Sequence, residues 1–275
     1  FVADGKVNTF SLSQDFKNQD DIEVEINGVY LADGEYTVGS LNNRNIKILE
    51  VPAKGSEIKV FFKNWVSEIV NTNKATKETN EPFHAENEGG ASLWWTFTAP
   101  FDGVLSVRTI NTKIDTIMGA YQGARLGNLL LIQSNDDDES LKNLEGNPGL
   151  SRIEQALLKG EMLKIAVDGF GGLKGDIGIS SSFTPQEVYS LIINAGENGS
   201  LAKPNLPFKD QKGNNFGLYA KDSEVDVIAL ADEGYEFSGW SGSINSLENP
   251  IRLVVTDDTS LKANFSSRSL SDDFE

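Results

Sequence analysis

The chain has 275 residues, 39% of them hydrophobic, which is enough apolar material for two or three packed domains. It has no cysteine and a single histidine, so disulfide frameworks, Cys/His zinc sites and thiol nucleophiles are excluded, and a Ser-His-Asp triad would have to use His84. The formal net charge of -17 argues against a nucleic-acid partner, because such proteins neutralise phosphates with clustered Lys and Arg.

The first segment, about residues 1–62, shows the alternation of a half-buried strand. Ile22–Ile26 alternates apolar and acidic residues, and Asn27 with Gly28 then offers a hairpin turn. Further short runs separated by turn residues follow at Tyr36–Val38, 46–48 and Ile58–Phe62. This rhythm predicts a small β-sandwich.

The order of these runs resembles the N-terminal attachment domains of phage tail fibres. The resemblance is carried by residues 10–12, 22–31, 35–38 and 52–60. It implies anchorage to a virus particle and assembly as a homo-oligomer, with a trimer favoured. Any small β-sandwich can show the same alternation with an Asn-Gly turn, so a β-sandwich with a different function remains an alternative.

Residues 63–74 are predicted to form a connector. Its apolar patch at Trp65, Val66, Ile69 and Val70 suits either a short helical turn or a strand docking onto a neighbour. The second unit then runs over residues 75–183, with six strand-like runs separated by glycine-rich turns. This pattern predicts an antiparallel sandwich. Residues 151–159 fit neither the helical nor the strand period cleanly, so a helical stretch and a further strand with a polar edge both stay open there.

The motifs of this unit resemble the bacterial pre-peptidase C-terminal domain family. They fall in the family's order at residues 81–85, 92–100, 115–116, 134–137 and 165–170. The resemblance implies a secreted, noncatalytic, jelly-roll-like β-sandwich that is appended to enzymes and surface proteins. It also implies that acidic residues of the unit can hold calcium, as they do in some relatives.

Six side chains with oxygen donors are the candidate calcium ligands. They are Asp115, Asn135, Asp136, Asp137, Asp138 and Asp168. Calcium takes six to eight oxygen ligands, which loops between strands can bring together, and clustered carboxylates are costly unless they are solvated or bind a cation. The alternative is that these side chains cap turns and meet solvent.

His84 and the adjacent Trp94 and Trp95 are further candidates for a functional role in this unit. His84 precedes a strand and has no recognisable nucleophile nearby, so a hydrogen-bonded structural role is favoured over a general base. Trp94 and Trp95 point to opposite faces of a strand, which predicts one core and one exposed indole. Trp94 is the candidate binding residue, because an exposed indole can stack on a sugar ring. The alternative, which is more common for such a residue, is that it packs between domains. No catalytic residue is predicted.

After a linker at residues 184–187, a third unit is predicted over residues 188–266, followed by a tail at 267–275 that leads to a further segment. Residues 189–194, 199–201, 234–242, 249–250 and 261–265 resemble the divergent B-repeat family named after listerial internalin. The resemblance implies a β-grasp-like spacer of bacterial and phage surface proteins. Trp240 is expected in its core, with Gly239 and Gly242 allowing close turns.

The expected fold class is therefore all-β, with three consecutive small β-domains in an extended array. The leading expectation is a noncatalytic phage virion component of tail-fibre or appendage type. The alternatives are a bacterial secreted surface adhesin or filament subunit, or the noncatalytic accessory region of a secreted hydrolase. Expected partners are other virion or surface proteins, further copies of the chain, and a cell-surface glycan or protein receptor; neither nucleic-acid binding nor membrane insertion is expected.

Overall fold

The structure, a computed structural model, is built almost entirely of β-strands. It describes residues 1–11, 22–27, 29–32, 34–38, 45–62, 67–140 and 148–268. Two short 3₁₀ turns occur in these ranges, at Leu126–Asn128 and Phe170–Gly172. Across the same ranges, no helix has the length and apolar character needed to cross a membrane. The predicted all-β, modular fold class is confirmed.

The first unit contributes two small antiparallel sheets. Its described strands are β1 (Thr9–Ser11), β2 (Ile22–Ile26), β3 (Val29–Tyr30), β4 (Tyr36–Val38), β5 (Asn45–Ile48) and β6 (Ile58–Phe62). They pair in the orders β1-β5-β4 and β3-β2-β6. Ile22 and Val24 are fully buried with Ile46 and Ile58, so the apolar positions of the alternating run face the core as expected. Leu12 and Gly28 of the sequence motifs lie outside the described residues.

The middle unit is a sandwich of two four-stranded antiparallel sheets. Its strands are β7 (Ser67–Asn71), β8 (Leu93–Thr98), β9 (Gly103–Ile110), β10 (Thr116–Gln122), β11 (Leu130–Asn135), β12 (Arg152–Leu157), β13 (Met162–Gly169) and β14 (Asp176–Pro185). The sheet orders are β11-β10-β13-β8 and β12-β9-β14-β7. Leu105 and Val107 of β9 pack in one core with Met118 and Ile165 of the other sheet. Their neighbours Ser106 and Arg108 therefore fall on the outer face.

Two stretches that the sequence left ambiguous are strands. Ser67–Asn71 lies within the predicted connector and pairs antiparallel with β14, so this part of the connector is an edge strand of the sandwich. Trp65 and Val66 lie outside the described residues. Arg152–Leu157 pairs antiparallel with β9, which satisfies its backbone groups and places Ile153 in the core. The helical alternative for residues 151–159 is therefore wrong.

The third unit combines a mixed sheet with a smaller antiparallel one. Its strands are β15 (Val188–Ala195), β16 (Gly199–Lys203), β17 (Phe208–Lys209), β18 (Asn215–Ala220), β19 (Ser223–Ala231), β20 (Tyr235–Gly242), β21 (Ile251–Val255) and β22 (Thr259–Ser267). The sheet orders are β17-β18-β15-β22-β20 and β16-β19-β21, and β15 runs parallel to β22. Trp240 is 3% exposed, so it lies in the core as expected.

The second and third units are joined closely. β14 ends at Pro185 and β15 begins at Val188, so the linker predicted at 184–187 leaves two residues between the strands. Phe208 and Leu218 of the third unit belong, with Val188, to the same continuous apolar cluster as the core of the middle sandwich. Apolar packing therefore crosses the junction and fixes the walls of a cleft between the two units.

Candidate functional site

Three of the predicted calcium ligands meet at one end of the middle sandwich. Asp115 immediately precedes β10, whereas Asp136 and Asp137 immediately follow β11. Because β10 and β11 pair antiparallel, with Met118 opposite Asn135, the start of one strand lies beside the end of the other. Each of the three carboxylates offers an oxygen atom within 4.8 Å of the other two.

The electrostatics of this acidic cluster favour an added cation. The Oδ1 atoms of Asp115 and Asp136 are buried, and within the described part of the chain neither has a hydrogen-bond partner. Burial raises the pKa of the Asp115 carboxyl, and the charges of Asp136 and Asp137 raise it further. Burial and then the charge of Asp137 raise the pKa of Asp136. Unpaired carboxylate oxygens in close proximity match the all-oxygen coordination that Ca²⁺ prefers.

A glycine forms one wall of the acidic cluster. Gly149 has φ +98°, and a Cβ atom built on it would overlap the carboxylate of Asp115. Gly149 also fixes the first residue of β10, because its carbonyl accepts a hydrogen bond from the Thr116 backbone N–H at 2.9 Å. Sequence reasoning missed this residue, since nothing in the sequence shows which turn glycine approaches a carboxylate.

Asn135 and Asp138 shape the acidic loop through hydrogen bonds. The Asn135 side chain accepts from the Arg152 N–H at 2.7 Å and donates to the Asp137 carbonyl at 2.9 Å. Asp138 is 7% exposed and accepts from the backbone N–H and the hydroxyl of Ser140. Both residues therefore hold the loop that presents Asp136 and Asp137, which is the turn-capping role considered from the sequence.

Asp168 has a different structural setting. It is fully buried, and its carboxylate accepts backbone N–H bonds from Gly90 at 2.7 Å, Ala91 at 2.9 Å and Gly169 at 2.7 Å. Three such bonds satisfy a buried carboxylate without a metal ion. The structure thus places Asp168 as an anchor between the 89–91 loop and the end of β13, outside the three-carboxylate cluster.

The single histidine lies in a buried polar cluster beside the core. His84 is fully buried, with Nδ1 2.7 Å from the Tyr121 hydroxyl and Nε2 3.2 Å from Oε1 of Glu81. The same Glu81 oxygen accepts hydrogen bonds from the Ser92 hydroxyl and, at 3.1 Å, from Nε1 of Trp94. Sequence reasoning placed residue 81 in a family motif but gave Glu81 no role of its own, and its position three residues before His84 is the signal that could have done so.

Burial and hydrogen bonding oppose each other in this cluster. Burial lowers the pKa of His84, and the hydrogen bond to Glu81 offsets part of that effect. Burial alone would raise the pKa of Glu81, but the hydrogen bonds from Ser92, Glu78 and His84 outweigh it and hold that pKa below its usual value. Burial also raises the pKa of Tyr121. Both ring nitrogens of His84 are engaged in this network, which suits a structural histidine.

Trp94 belongs to the same cluster. Its ring centroid lies 5.5 Å from those of both His84 and Tyr121, and its indole N–H is bonded to Glu81. Trp95, on the opposite face of β8, is also partly buried and donates to Glu68 at 2.9 Å. The expected division into one core and one exposed indole is wrong, because both indoles have packing and hydrogen-bond partners.

Comparison with known proteins identifies the C-terminal unit. Residues 189–269 match the family model described as the divergent InlB B-repeat domain, which confirms the resemblance seen in the sequence of that unit. No curated protein matches the chain. Among solved structures, the crystal structure of Tripeptidyl Peptidase 2 (TPP II) is similar, with 8% identity and a TM-score of 0.24. That similarity spans 82% of this chain and 20% of the other, and at that TM-score it carries no argument. Residues 189–269 thus match a B-repeat, which indicates a module of bacterial surface or adhesion type.

Proposed function

We propose that this chain is a noncatalytic structural and adhesion-type protein, and more specifically a phage virion component of tail-fibre or appendage type. The observation that carries the adhesion-type role is the B-repeat match over residues 189–269. The N-terminal unit would attach the chain to the particle, and the two following units would project from it. The sequence pattern of residues 1–62 supports the attachment role.

The hydrogen bonding of His84 and Glu81 supports a noncatalytic role. His84 has both ring nitrogens within hydrogen-bond distance of buried partners, and Glu81 accepts from three side chains. A general base needs a free lone pair directed at a substrate proton, which this arrangement does not offer. The cluster instead ties the 81–84 segment to β8 and β10.

The junction between the second and third units supports a projecting role. Val188, Phe208 and Leu218 continue the core of the middle sandwich into the third unit. A shared core resists bending at the junction, because bending would expose apolar surface to water. The two units would therefore be presented together, at a fixed angle to each other.

The alternative functions are a secreted bacterial adhesin or filament subunit and the noncatalytic accessory region of a secreted hydrolase. The B-repeat match favours the adhesin among these two. Light scattering of the whole chain separates the classes, because tail-fibre assembly is expected to be a closed symmetric oligomer. A stable trimer supports the virion appendage, whereas a monomer over the same concentration range contradicts it and favours the adhesin.

We further propose that Asp115, Asp136 and Asp137 hold a calcium ion. The two unpaired, buried Oδ1 atoms carry this proposal, since a hard cation would supply the charge compensation that they lack. When bound, the ion would supply electrostatic cross-linking of the start of β10 to the loop after β11. Isothermal titration of the chelator-treated protein with CaCl₂ tests it, and the absence of both heat and a rise in melting temperature would contradict it.

A further inference from the structure

Two arginines lie directly opposite each other on neighbouring strands of the middle unit. Arg152 of β12 is the cross-strand partner of Arg108 of β9, so both side chains occupy the outer face of the sheet. Like charges at such positions destabilise a sheet. Arg152 is paired with Glu154, whereas the side chain of Arg108 is exposed and forms no ion pair or hydrogen bond with the described residues. The unneutralised charge of Arg108 beside Arg152 makes this part of the surface locally positive, which suits a bound anion.

Serine hydroxyl groups lie on the same outer face of the sheet, next to the arginine pair. On β14, Ser180 is the register partner of Arg108, and Ser182 is the register partner of Ser106 on β9. Together with both arginines, these hydroxyl-bearing residues line a groove of about 490 Å³. The groove therefore offers charged donors at one end and neutral donors and acceptors beside them.

This groove continues into the cleft between the second and third units. Glu154 and Gln186 line both the groove and the cleft, which has a volume of about 750 Å³. The cleft is further lined by Gln133, Gln155 and Tyr219. Amide side chains each offer both donors and acceptors, and an aromatic ring beside them adds an apolar contact surface.

Two buried polar atoms along this path have no partner within the described residues. They are Nε of Arg152, a residue that lines the groove, and Oε1 of Gln133, a residue that lines the cleft. Buried polar groups in proteins are normally hydrogen-bonded, and those that are not call for a ligand or water. Small rotations of these two side chains would present one donor and one acceptor to a ligand in the same continuous depression.

We propose that this depression binds an acidic glycan. A carboxylate or sulfate group would lie on Arg108 and Arg152, and neutral sugar residues would lie along the amide-lined cleft. Arginine suits planar and tetrahedral oxyanions, whereas amides and hydroxyls suit sugar hydroxyls. The carboxylate of Glu154 beside the arginines, together with the net charge of -17, disfavours a densely charged polyanion such as a nucleic acid.

This inference rests on the proposed adhesion-type function and deepens it by naming a class of ligand. The test is isothermal titration of the whole chain with two probes that each carry one charge, 3′-sialyllactose with a single carboxylate and lactose 3′-sulfate with a single sulfate. Lactose serves as the uncharged comparison. The preferred probe identifies the anionic group.

At least one acidic probe is expected to bind, with affinity at least about tenfold above that of the uncharged comparison. Arg108→Gln and Arg152→Gln should each weaken binding by roughly tenfold or more, and Arg108→Lys should recover part of the loss. Glu154→Gln should strengthen binding, because it removes a repelling charge. Arg125→Gln, at an exposed arginine outside the groove, is the matched control and should bind as the natural chain does.

Three results would overturn the assignment. These are no binding of either acidic probe, equal weakening by Arg125→Gln and Arg108→Gln, and equally tight binding of a dinucleoside monophosphate, which carries the same single charge. Melting temperatures of all variants establish that they are folded. A failed titration leaves the structural role intact, whereas the appearance of new reducing ends during incubation would contradict the noncatalytic proposal instead.

Discussion

Gly149 lies against the carboxylate of Asp115 so closely that any side chain at residue 149 would overlap it. The glycine also has φ +98°, a conformation that residues with a Cβ atom rarely adopt. Its small size therefore allows two things at once, a tight turn and a carboxylate directed towards Asp136 and Asp137. This relationship gives a direct test of the acidic cluster.

Gly149→Ala is expected to abolish calcium binding and to cost about 1 to 3 kcal/mol in the free energy of unfolding. The added methyl group displaces Asp115 and strains the turn. Gly160→Ala is the matched control, because Gly160 has φ +88° and no atoms close to the position of an added Cβ. It should show the strain alone, with calcium binding retained, as measured by urea unfolding and calorimetric titration. Equal calcium affinity in both variants would contradict the proposed site.

The acidic cluster also predicts how stability depends on pH. Burial and mutual repulsion raise the folded pKa of Asp115 and Asp136 above the unfolded value. Their contribution to stability is therefore greatest below the unfolded pKa and is lost as pH rises through the folded pKa. In chelator, the melting temperature of the natural chain should therefore fall as pH rises from about 4 to 7. In Asp136→Asn this fall should be smaller, because one of the repelling carboxylates is gone.

Calcium should remove the loss of melting temperature that the natural chain shows at neutral pH in chelator. With the cation present at neutral pH, the melting temperature of the natural chain should rise and that of Asp136→Asn should not. Asp232→Asn, at an exposed aspartate, is the control for the loss of one negative charge. If Asp232→Asn and Asp136→Asn behave alike, general charge reduction explains the effect and the cluster does not.

Glu81→Ala is expected to cost about 3 kcal/mol or more in the free energy of unfolding. The substitution leaves Ser92 and Trp94 without their acceptor and removes the partner of Nε2 of buried His84. Glu68→Ala is the matched control, since Glu68 accepts from the indole of Trp95 but is exposed. It should cost less than about 0.5 kcal/mol in the same urea titration. Similar losses in the two variants would show that burial of the cluster does not matter.

Phe208→Ala should destabilise the junction of the second and third units by about 3 to 5 kcal/mol. Phe208 is 2% exposed, stacks on Phe216 at a centroid distance of 5.3 Å and belongs to the shared core. Calorimetry should show one transition for these two units in the natural chain and two in the variant. Leu247→Ala, at a residue that is 83% exposed, is the control and should preserve the single transition.

Periodicity predicted the strands because one side of each strand faces a core. In β9, Leu105 and Val107 alternate with outward polar residues, and such a pattern is readable without a structure. β7 was harder to predict, because its pairing with β14 joins residues about a hundred positions apart. Short edge strands owe their conformation to the partner strand more than to their own residues.

The candidate site was predictable by residue type but not by role. The sequence does not distinguish the three aspartates at positions 115, 136 and 168. In the structure, Asp115 and Asp136 have unpaired buried oxygens, whereas Asp168 accepts three backbone N–H bonds. The difference depends on where loop backbones point. The opposition of Arg108 and Arg152 likewise depends on strand register, which a single sequence does not specify.

The parallel pairing of β15 and β22 bears on how the third unit would respond to mechanical force. Leu191 pairs with Thr259 and Ala195 with Ala263, so the first and last strands of the unit run side by side in the same direction. Tension applied before Val188 and after Ser267 would pull these strands past each other. The hydrogen bonds between them would then be loaded together in shear, whereas strands peeled from one end lose their bonds one at a time. This connectivity suits a module that holds its shape while its two ends are pulled apart.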